Sequence, residues 1–570
     1  MAGVPFTPRR TPVALVVLAA LILTGCGTDP AAAPPASPAP PSLPTGGDLA
    51  DRAARLAGSL ADEDLVGQVL MPFAYGDSAS KVSAGSAAGN QKLAGVDTPA
   101  QMIEKYRLGG VILVGFSADD PTGSNQVTTN VDTPEQVHGL TTGLRAAAAK
   151  LPAGAAPLLV GIDQEFGVVT RIRDGVTNLP SALAAGAAGD PALTEGAWRV
   201  AGTELAAMGI NVDFAPVADV LATNSTVIGS RSYGADPRAV GEQVSGAVRG
   251  LQGTGVAATV KHFPGHGHTA ADSHDDLPTL TQDRKVLDAG ALPPFKAGIA
   301  ADAWLVMSAH LDVRAIDPGV PATFSRKLLT DVLRGQLGFK GVLVTDGMNM
   351  GAVQRWPAGE AAVKAINAGN DLLLMPPNVT QAYDGLLAAL RDGSLPRTRL
   401  VEAVTRVLTL KLRLAEHQTP AMSTLNSPAH REAVGKLAAA AVTQLRGSCP
   451  SAKVTGPVTI SSSGGRDRTR QLLSDALRAA GVEVVDRGGT VVHLVGYGDK
   501  AADLRDDATV TVGMDTPYLL GKAKSKVLLA TYSSSPASMT ALAGVLAGQA
   551  KPVGRSPVPV PGLPVSSCAG

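Results

Sequence analysis

Residues 256–278 read VAATVKHFPGHGHTAADSHDDLP. A short apolar run, 256–260, empties into a loop that carries four of the chain's nine histidines: His262, His266, His268 and His274. A strand that delivers histidines, aspartates and glycines into a loop is the pattern of an active-site loop on an α/β scaffold. Read from its residues, this loop has three competing uses: a metal site, an acid/base site or a polar structural turn.

Working outward, seven more apolar runs occur at 68–72, 110–114, 158–162, 212–215, 304–308, 342–344 and 371–375, with helical patterns between them. Runs apolar on both faces suit a parallel sheet covered by helices, and eight βα units predict a closed (β/α)8 barrel of TIM type over residues 51–418. Thr98-Pro99-Ala100-Gln101 offers a helix N-cap, a first-turn proline and a capping-box glutamine. Ser325 caps a predicted helix whose buried stripe is Leu328, Leu329, Val332 and Leu333, ending near Gly338. Two stretches, 76–95 and 117–133, are read from composition as mobile surface loops. Beyond a polar stretch at 419–428, strands are predicted at 458–461, 490–495, 508–512 and 527–531. With helices at 468–480 and 538–548 they form a smaller α/β sandwich domain, residues 430–570, closed by the proline-rich 551–564. His493 sits inside an apolar run and reads as a core histidine.

The totals narrow the function classes. Across 570 residues, 49 basic side chains balance 49 acidic ones, so no basic footprint points to nucleic acid. Aromatic residues make up only 3%, which favours a small pocket over an extended stacking groove. Arg9 and Arg10 precede an apolar segment, 12–23, that is too short to span a bilayer as a mature helix. Leu23-Thr24-Gly25-Cys26 resembles a bacterial lipobox, with Cys26 as the lipid attachment site. Residues 1–26 are thus expected to be a lipoprotein signal segment and 27–50 a Pro/Ala-rich linker. The mature protein is then held at the extracytoplasmic face of the cell membrane through its acyl chains. The two remaining cysteines, Cys449 and Cys568, make a candidate disulfide in an exported chain.

Polar residues gather where the barrel strands end, the face on which barrel active sites lie. Asp163-Gln164-Glu165 and Arg171 follow the third run. Asp213 ends the fourth, with Asn224 and the segment 227–233 after it. His310 follows the sixth run and Thr345-Asp346 ends the seventh. On the metal reading, His266, His268, Asp272 and His274 supply ligands, with His262 or His310 completing the set. On the acid/base reading, Asp272 accepts a hydrogen bond from His274 and sets its tautomer, leaving the other ring nitrogen to exchange protons near neutrality. Asp346 is then a candidate carboxylate nucleophile; as a lone aspartate it reads equally as a helix cap or a salt-bridge partner.

Lys261-His262-Phe263-Pro264-Gly265-His266-Gly267 with Asp272-Ser273-His274 closely resembles the signature of glycoside hydrolase family 3, β-N-acetylglucosaminidase branch. Ile162-Asp163-Gln164-Glu165, the segments 211–217 and 228–233, Met307-Ser308-Ala309-His310, 321–325 and 341–346 resemble family blocks in the right order. The resemblance implies Asp346 as nucleophile, His274 as general acid/base and Asp272 as its orienting partner. It also implies that Asp163, Arg171, Arg231, Lys261 and His262 bind the sugar. No metal or organic cofactor is implied. The chain departs from the family at Phe166 and Val168, where glycine and arginine are usual, and this predicts a bulkier, less charged wall beside Asp163.

The expected function is exo-acting, retaining hydrolysis of terminal β-linked N-acetylglucosamine from peptidoglycan fragments, through a glycosyl–Asp346 intermediate. Partners are a small carbohydrate and the membrane. The alternatives are a β-glucosidase of the same family and a sugar-binding lipoprotein without turnover.

Overall fold

The computed structural model describes residues 48–116, 125–154, 156–222, 225, 227–269, 273, 276–449 and 452–568. Eight parallel strands close into a barrel. In chain order they are Leu70–Met71, Gly110–Leu113, Leu159–Ile162, Val212–Asp213, Ala257–Phe263, Leu305–Ser308, Val342–Thr345 and Leu373–Leu374. The second to the seventh form one continuous sheet in sequence order. The eighth pairs with the first in parallel, Leu70 opposite Leu373. The gaps on either side are bridged by the Val344–Leu372 pair and by Ile112 N donating to Pro72 O at 3.0 Å. Each predicted run contains or overlaps one of these strands, because a strand buried on both faces must be apolar throughout.

The barrel interior is filled by side chains and not hollow. Gly161 shows how closely it is filled, since an added Cβ would stand 2.6 Å from Met71 Cε and 2.8 Å from Phe214 Cε2. On the outside, Thr98 caps the helix Pro99–Tyr106 with the full capping box to Gln101. Ser325 Oγ accepts from Leu328 N at 3.2 Å, and Leu328, Leu329, Val332 and Leu333 of the helical segment Lys327–Gln336 are buried. The 76–95 stretch departs from expectation, since it contains a helix, Ala84–Ala94. Asn90 pins that helix by exchanging 2.8 Å hydrogen bonds with both Tyr75 N and Tyr75 O. A run of small residues carries no amphipathic signal, so a tie made by one buried asparagine does not register in composition.

The second sheet has five strands in the order Thr443–Arg446, Val527–Ala530, Val510–Gly513, Thr490–Val495, Val458–Ser462. The last four are parallel and match the predicted runs. Thr443–Arg446 is an antiparallel edge strand that the sequence reading lacks. His493 is a satisfied core histidine, with Nδ1 3.0 Å from Ser461 Oγ and Nε2 2.7 Å from Asp503 O. Cys449 and Cys568 are joined in a disulfide, which ties the end of the chain to the segment after that edge strand. The two sheets are bound together by a buried apolar cluster in which Leu183, Leu221 and Ile228 meet Leu445, Leu520, Leu528 and Tyr532. Among the described residues, no helix is long and apolar enough to cross a membrane.

Candidate active site

At the carboxyl ends of the barrel strands lies a pocket lined by Asp163, Arg231, Lys261, His262, His266 and Asp346 among others. The fifth strand reaches furthest into it. Val260 pairs with Val306 and Phe263 with Ser308, so Lys261 and His262 together stand opposite Met307 alone. Such a bulge breaks the alternation that would send adjacent side chains to opposite faces. Both side chains therefore line the pocket; the peptide between them is cis.

Lys261 Nζ is 2.6 Å from Asp163 Oδ1 and 2.6 Å from Glu165 Oε1. Arg231 grips Glu165 in two-pronged fashion, Nε to Oε2 at 2.7 Å and Nη2 to Oε1 at 2.8 Å. Burial alone would lower the Lys261 pKa, but the two carboxylates outweigh it and the net shift is upward. Burial alone would raise Glu165; Arg231 and Lys261 instead hold it well below the usual carboxylate range. Asp213, at the end of the fourth strand, accepts from Gln164 N at 3.0 Å, and its other oxygen is buried without a hydrogen-bond partner. Its pKa is pushed well up by burial. Asp163 and Glu165 face two cations, Lys261 and Arg231, which is the balance a dry cluster requires.

His262 is held from both sides. Its Nδ1 lies 2.7 Å from Asp219 Oδ2, and its Nε2 lies 3.3 Å from Arg231 Nη2. A guanidinium only donates, so Nε2 is the acceptor and Nδ1 carries the proton given to Asp219. Asp219, fully buried, also accepts from His266 N at 2.6 Å. Burial would raise Asp219, and its contacts with His262 and His266 together more than offset it. The His266 ring packs with Nε2 3.2 Å from Ser273 Oγ, and burial lowers its pKa to about 4, so it is neutral at working pH.

Asp346 follows the seventh strand directly and is half-buried. Its backbone N donates to Ser308 O at 2.9 Å, and its Oδ1 accepts from Gly347 N at 2.8 Å. The next carbonyl, Gly347 O, accepts from His310 Nε2 at 3.0 Å. His310 thereby holds the turn after Asp346, a use different from metal ligation. Met307, Met350, Leu374, Met375 and Ile228 complete an apolar wall.

Of the residues predicted to form the site, Asp163, Arg231, Lys261, His262 and Asp346 come together around this pocket. Arg171 is buried beside Gly115, with its backbone N on Gln164 Oε1 at 2.8 Å, and is not among the residues lining the pocket. Asp272, His274, Asn224 and Cys26 lie outside the described residues. No group of three or more histidine, cysteine or acidic side chains able to hold a metal occurs among the described residues. The expectation of a bulkier wall at Phe166 is corrected. Its ring is 4% exposed and packs edge-on against Trp198, 5.7 Å between centroids, pointing away from the pocket. Phe166 also sits at φ 66°, the left-handed region that favours glycine. The sequence reading gave no role to Glu165 or Asp219. Glu165 was in view beside Asp163, and only the fold shows that it links Lys261 to Arg231.

Residues 66–410 match the family described as the glycosyl hydrolase family 3 N terminal domain. A protein named beta-hexosaminidase A from Pseudoalteromonas piscicida is 33% identical over 379 residues, which is 61% of this chain and 61% of that relative's length. A beta-N-acetylglucosaminidase/beta-glucosidase from Cellulomonas fimi is 28% identical over 81% of this chain and 94% of its own. A solved glycoside hydrolase family 3 beta-N-acetylglucosaminidase from Paenibacillus sp. str. FPU-7 is 32% identical with a TM-score of 0.76, covering 90% of this chain and all of that one.

Proposed function

The chain belongs to glycosyl hydrolase family 3, and on that footing we propose that it is an exo-acting, retaining β-N-acetylglucosaminidase. Its substrates are short peptidoglycan fragments ending in N-acetylglucosamine. The observation that carries the reading is the half-buried Asp346 carboxylate, facing a pocket whose floor is the Asp163–Lys261–Glu165–Arg231 charge cluster. Asp346 attacks the anomeric carbon from one face while protonated His274 gives its proton to the leaving oxygen. Neutral His274 then takes a proton from water, which displaces Asp346 and restores the original configuration. Asp272 stabilises the imidazolium. Lys261, Asp163 and Arg231 hold the sugar hydroxyls by charge-assisted bonds, and His262 joins them in binding the sugar. An acyl anchor on Cys26 keeps the enzyme at the extracytoplasmic face of the membrane.

The test uses a chain lacking residues through Cys26, chromogenic β-N-acetylglucosaminide and β-glucoside, and the variants Asp346→Ala and His274→Ala. The expected outcome is cleavage of the first substrate by the parent and loss of at least ~10³-fold in Asp346→Ala. A slow fluorinated glycoside should label Asp346; label on another residue refutes the nucleophile assignment. The β-glucoside arm judges the second reading, a β-glucosidase, which is favoured by the dual name of the Cellulomonas fimi relative.

A further inference from the structure

Asp219 does not line the pocket and is completely buried, yet two of the pocket's walls meet at this one residue. The segment that carries it runs beside the end of the fifth strand. Val217 pairs in parallel with Lys261, and Ala222 N donates to Gly267 O at 3.1 Å. The Asp219 carboxylate faces the histidine loop. Its Oδ1 accepts from His266 N at 2.6 Å and from His262 N at 3.3 Å, and its Oδ2 lies 2.7 Å from His262 Nδ1. The Asp219 carbonyl faces the other wall, accepting from Ser232 Oγ at 2.6 Å, next to Arg231. Leu221 N also donates to Gly234 O at 2.8 Å, and Gly229 N to Ser225 O at 3.0 Å, so the Arg231 turn is anchored within the barrel.

The two parts of Asp219 therefore act separately. The turn depends on its carbonyl, which a side-chain substitution keeps, and the His262 ring depends on its carboxylate. An ionised carboxylate only accepts, so Nδ1 is the protonated nitrogen and Nε2 presents a lone pair towards Arg231 Nη2, 3.3 Å away. The same Arg231 nitrogen reaches Glu165 Oε1 at 2.8 Å, and Lys261 Nζ joins Glu165 to Asp163. A chain of alternating acceptors and donors thus runs from Asp219 through His262, Arg231, Glu165 and Lys261 to Asp163. Reversing the tautomer of the ring would set an N–H against the Arg231 guanidinium and break the chain between His262 and Arg231.

We propose that Asp219 is a positioning residue of the sugar pocket: its carboxylate fixes His262 as the Nδ1–H tautomer, so that Nε2 serves Arg231 and the sugar hydroxyls as an acceptor. This rests on the reading of the pocket as a sugar site. Asp219 acts through His262 and is too deeply buried to touch substrate, which sets it apart from the half-buried Asp346.

The experiment compares the full chain with Asp219→Asn, His262→Ala and the double variant, each with isotope-labelled histidine rings read by nitrogen NMR. Asparagine keeps the shape of Asp219, and its oxygen can still accept from the amides of His262 and His266. Its Nδ2 then becomes a donor facing His262 Nδ1, since the reverse orientation would turn an NH2 on two amide donors. The His262 signals, assigned by their loss in His262→Ala, should show Nδ1–H in the parent and Nε2–H in Asp219→Asn. The dissociation constant of free N-acetylglucosamine and KM for the chromogenic β-N-acetylglucosaminide should rise together by about tenfold in Asp219→Asn, with little change in kcat. In the His262→Ala background the same substitution should change either constant by less than about twofold. A parent ring protonated on Nε2 overturns the proposal, as does an unaltered dissociation constant in Asp219→Asn. An Asp219→Asn effect as large without His262 as with it also overturns it, because the residue would then not act through the ring. Should Asp219→Asn fail to fold, the parent spectrum decides alone. The spectra need no turnover, so a parent that neither binds nor cleaves the sugar refutes the proposed function while the tautomer still judges Asp219.

Discussion

Two lysines are buried equally, each 2% exposed, at opposite ends of the barrel. Lys261 stands at the carboxyl end between two carboxylates, both at 2.6 Å. Lys411, on the helix Arg397–Leu414, faces the amino end of the first strand, where Gln68 Oε1 accepts from it at 2.7 Å. Burial lowers the Lys411 pKa to about 7, whereas the carboxylates around Lys261 turn the shift upward. Burial of a charged group is therefore no mark of function by itself. What distinguishes the working end is the opposite charge assembled around the lysine, which keeps a cation available for hydrogen bonding in a dry pocket.

The strongest way to break this contrast is Lys261→Met. Removing the cation leaves Asp163 and Glu165 buried with one partner fewer, and a severed buried pair costs about 3–5 kcal/mol. Urea unfolding should register that loss, and glycoside turnover should fall by at least ~10³-fold. A variant of parental stability would mean that the cluster is not dry.

Glu165→Gln comes next. It preserves shape but removes the charge shared by Lys261 and Arg231. Steady-state kinetics should show kcat/KM down by about 10–100-fold, equivalent to about 1.4–2.7 kcal/mol.

Lys411→Met acts in the opposite direction. The folded value of about 7 lies below the ordinary 10.5, so between those two the unfolded chain holds a proton that the folded chain has released. Stability of the parent thus rises with pH through that window, and the full burial penalty is present below it. Lys411→Met should stabilise the protein by about 2–3 kcal/mol at pH 6. The difference from the parent should shrink towards zero by about pH 10, with activity unchanged. Unfolding curves across that range, parallel for the two proteins, would show that Lys411 keeps an ordinary pKa.

The smallest effect is expected for Gln68→Leu, which removes the Lys411 acceptor as well as the Gln68 Nε2 bond to Arg107 O. It should cost about 1 kcal/mol at pH 6 in the parent and less in the Lys411→Met background. Equal costs in the two backgrounds would leave the Lys411–Gln68 bond without weight.

Much of the barrel was legible because its strands are buried on both faces and their apolar runs are broken by polar residues where they end. The floor of the pocket was half legible. Lys261, His262, Asp163, Arg231 and Asp346 all fall in motifs, but Asp219 lies in the run Pro216-Val217-Ala218-Asp219-Val220, where nothing local marks a carboxylate that three donors share. Phe166 misled in a definite way. Its position beside the Asp163-Gln164-Glu165 block suggested the pocket wall, and the left-handed backbone there turns the ring inward to Trp198. The edge strand Thr443–Arg446 was hidden because its pattern is mixed and its pairing partner, Val527–Ala530, lies more than eighty residues on.

The sequence by itself determined the eight-unit barrel, the second α/β domain and the identities of the charged residues at the strand ends, since these follow from local apolar pattern and motif. Tertiary structure alone decided which charges pair, which lysine keeps its proton and which way Phe166 points. Those outcomes depend on distances of a few ångströms between residues far apart in the chain, and on how much water is excluded there. No local pattern encodes either quantity.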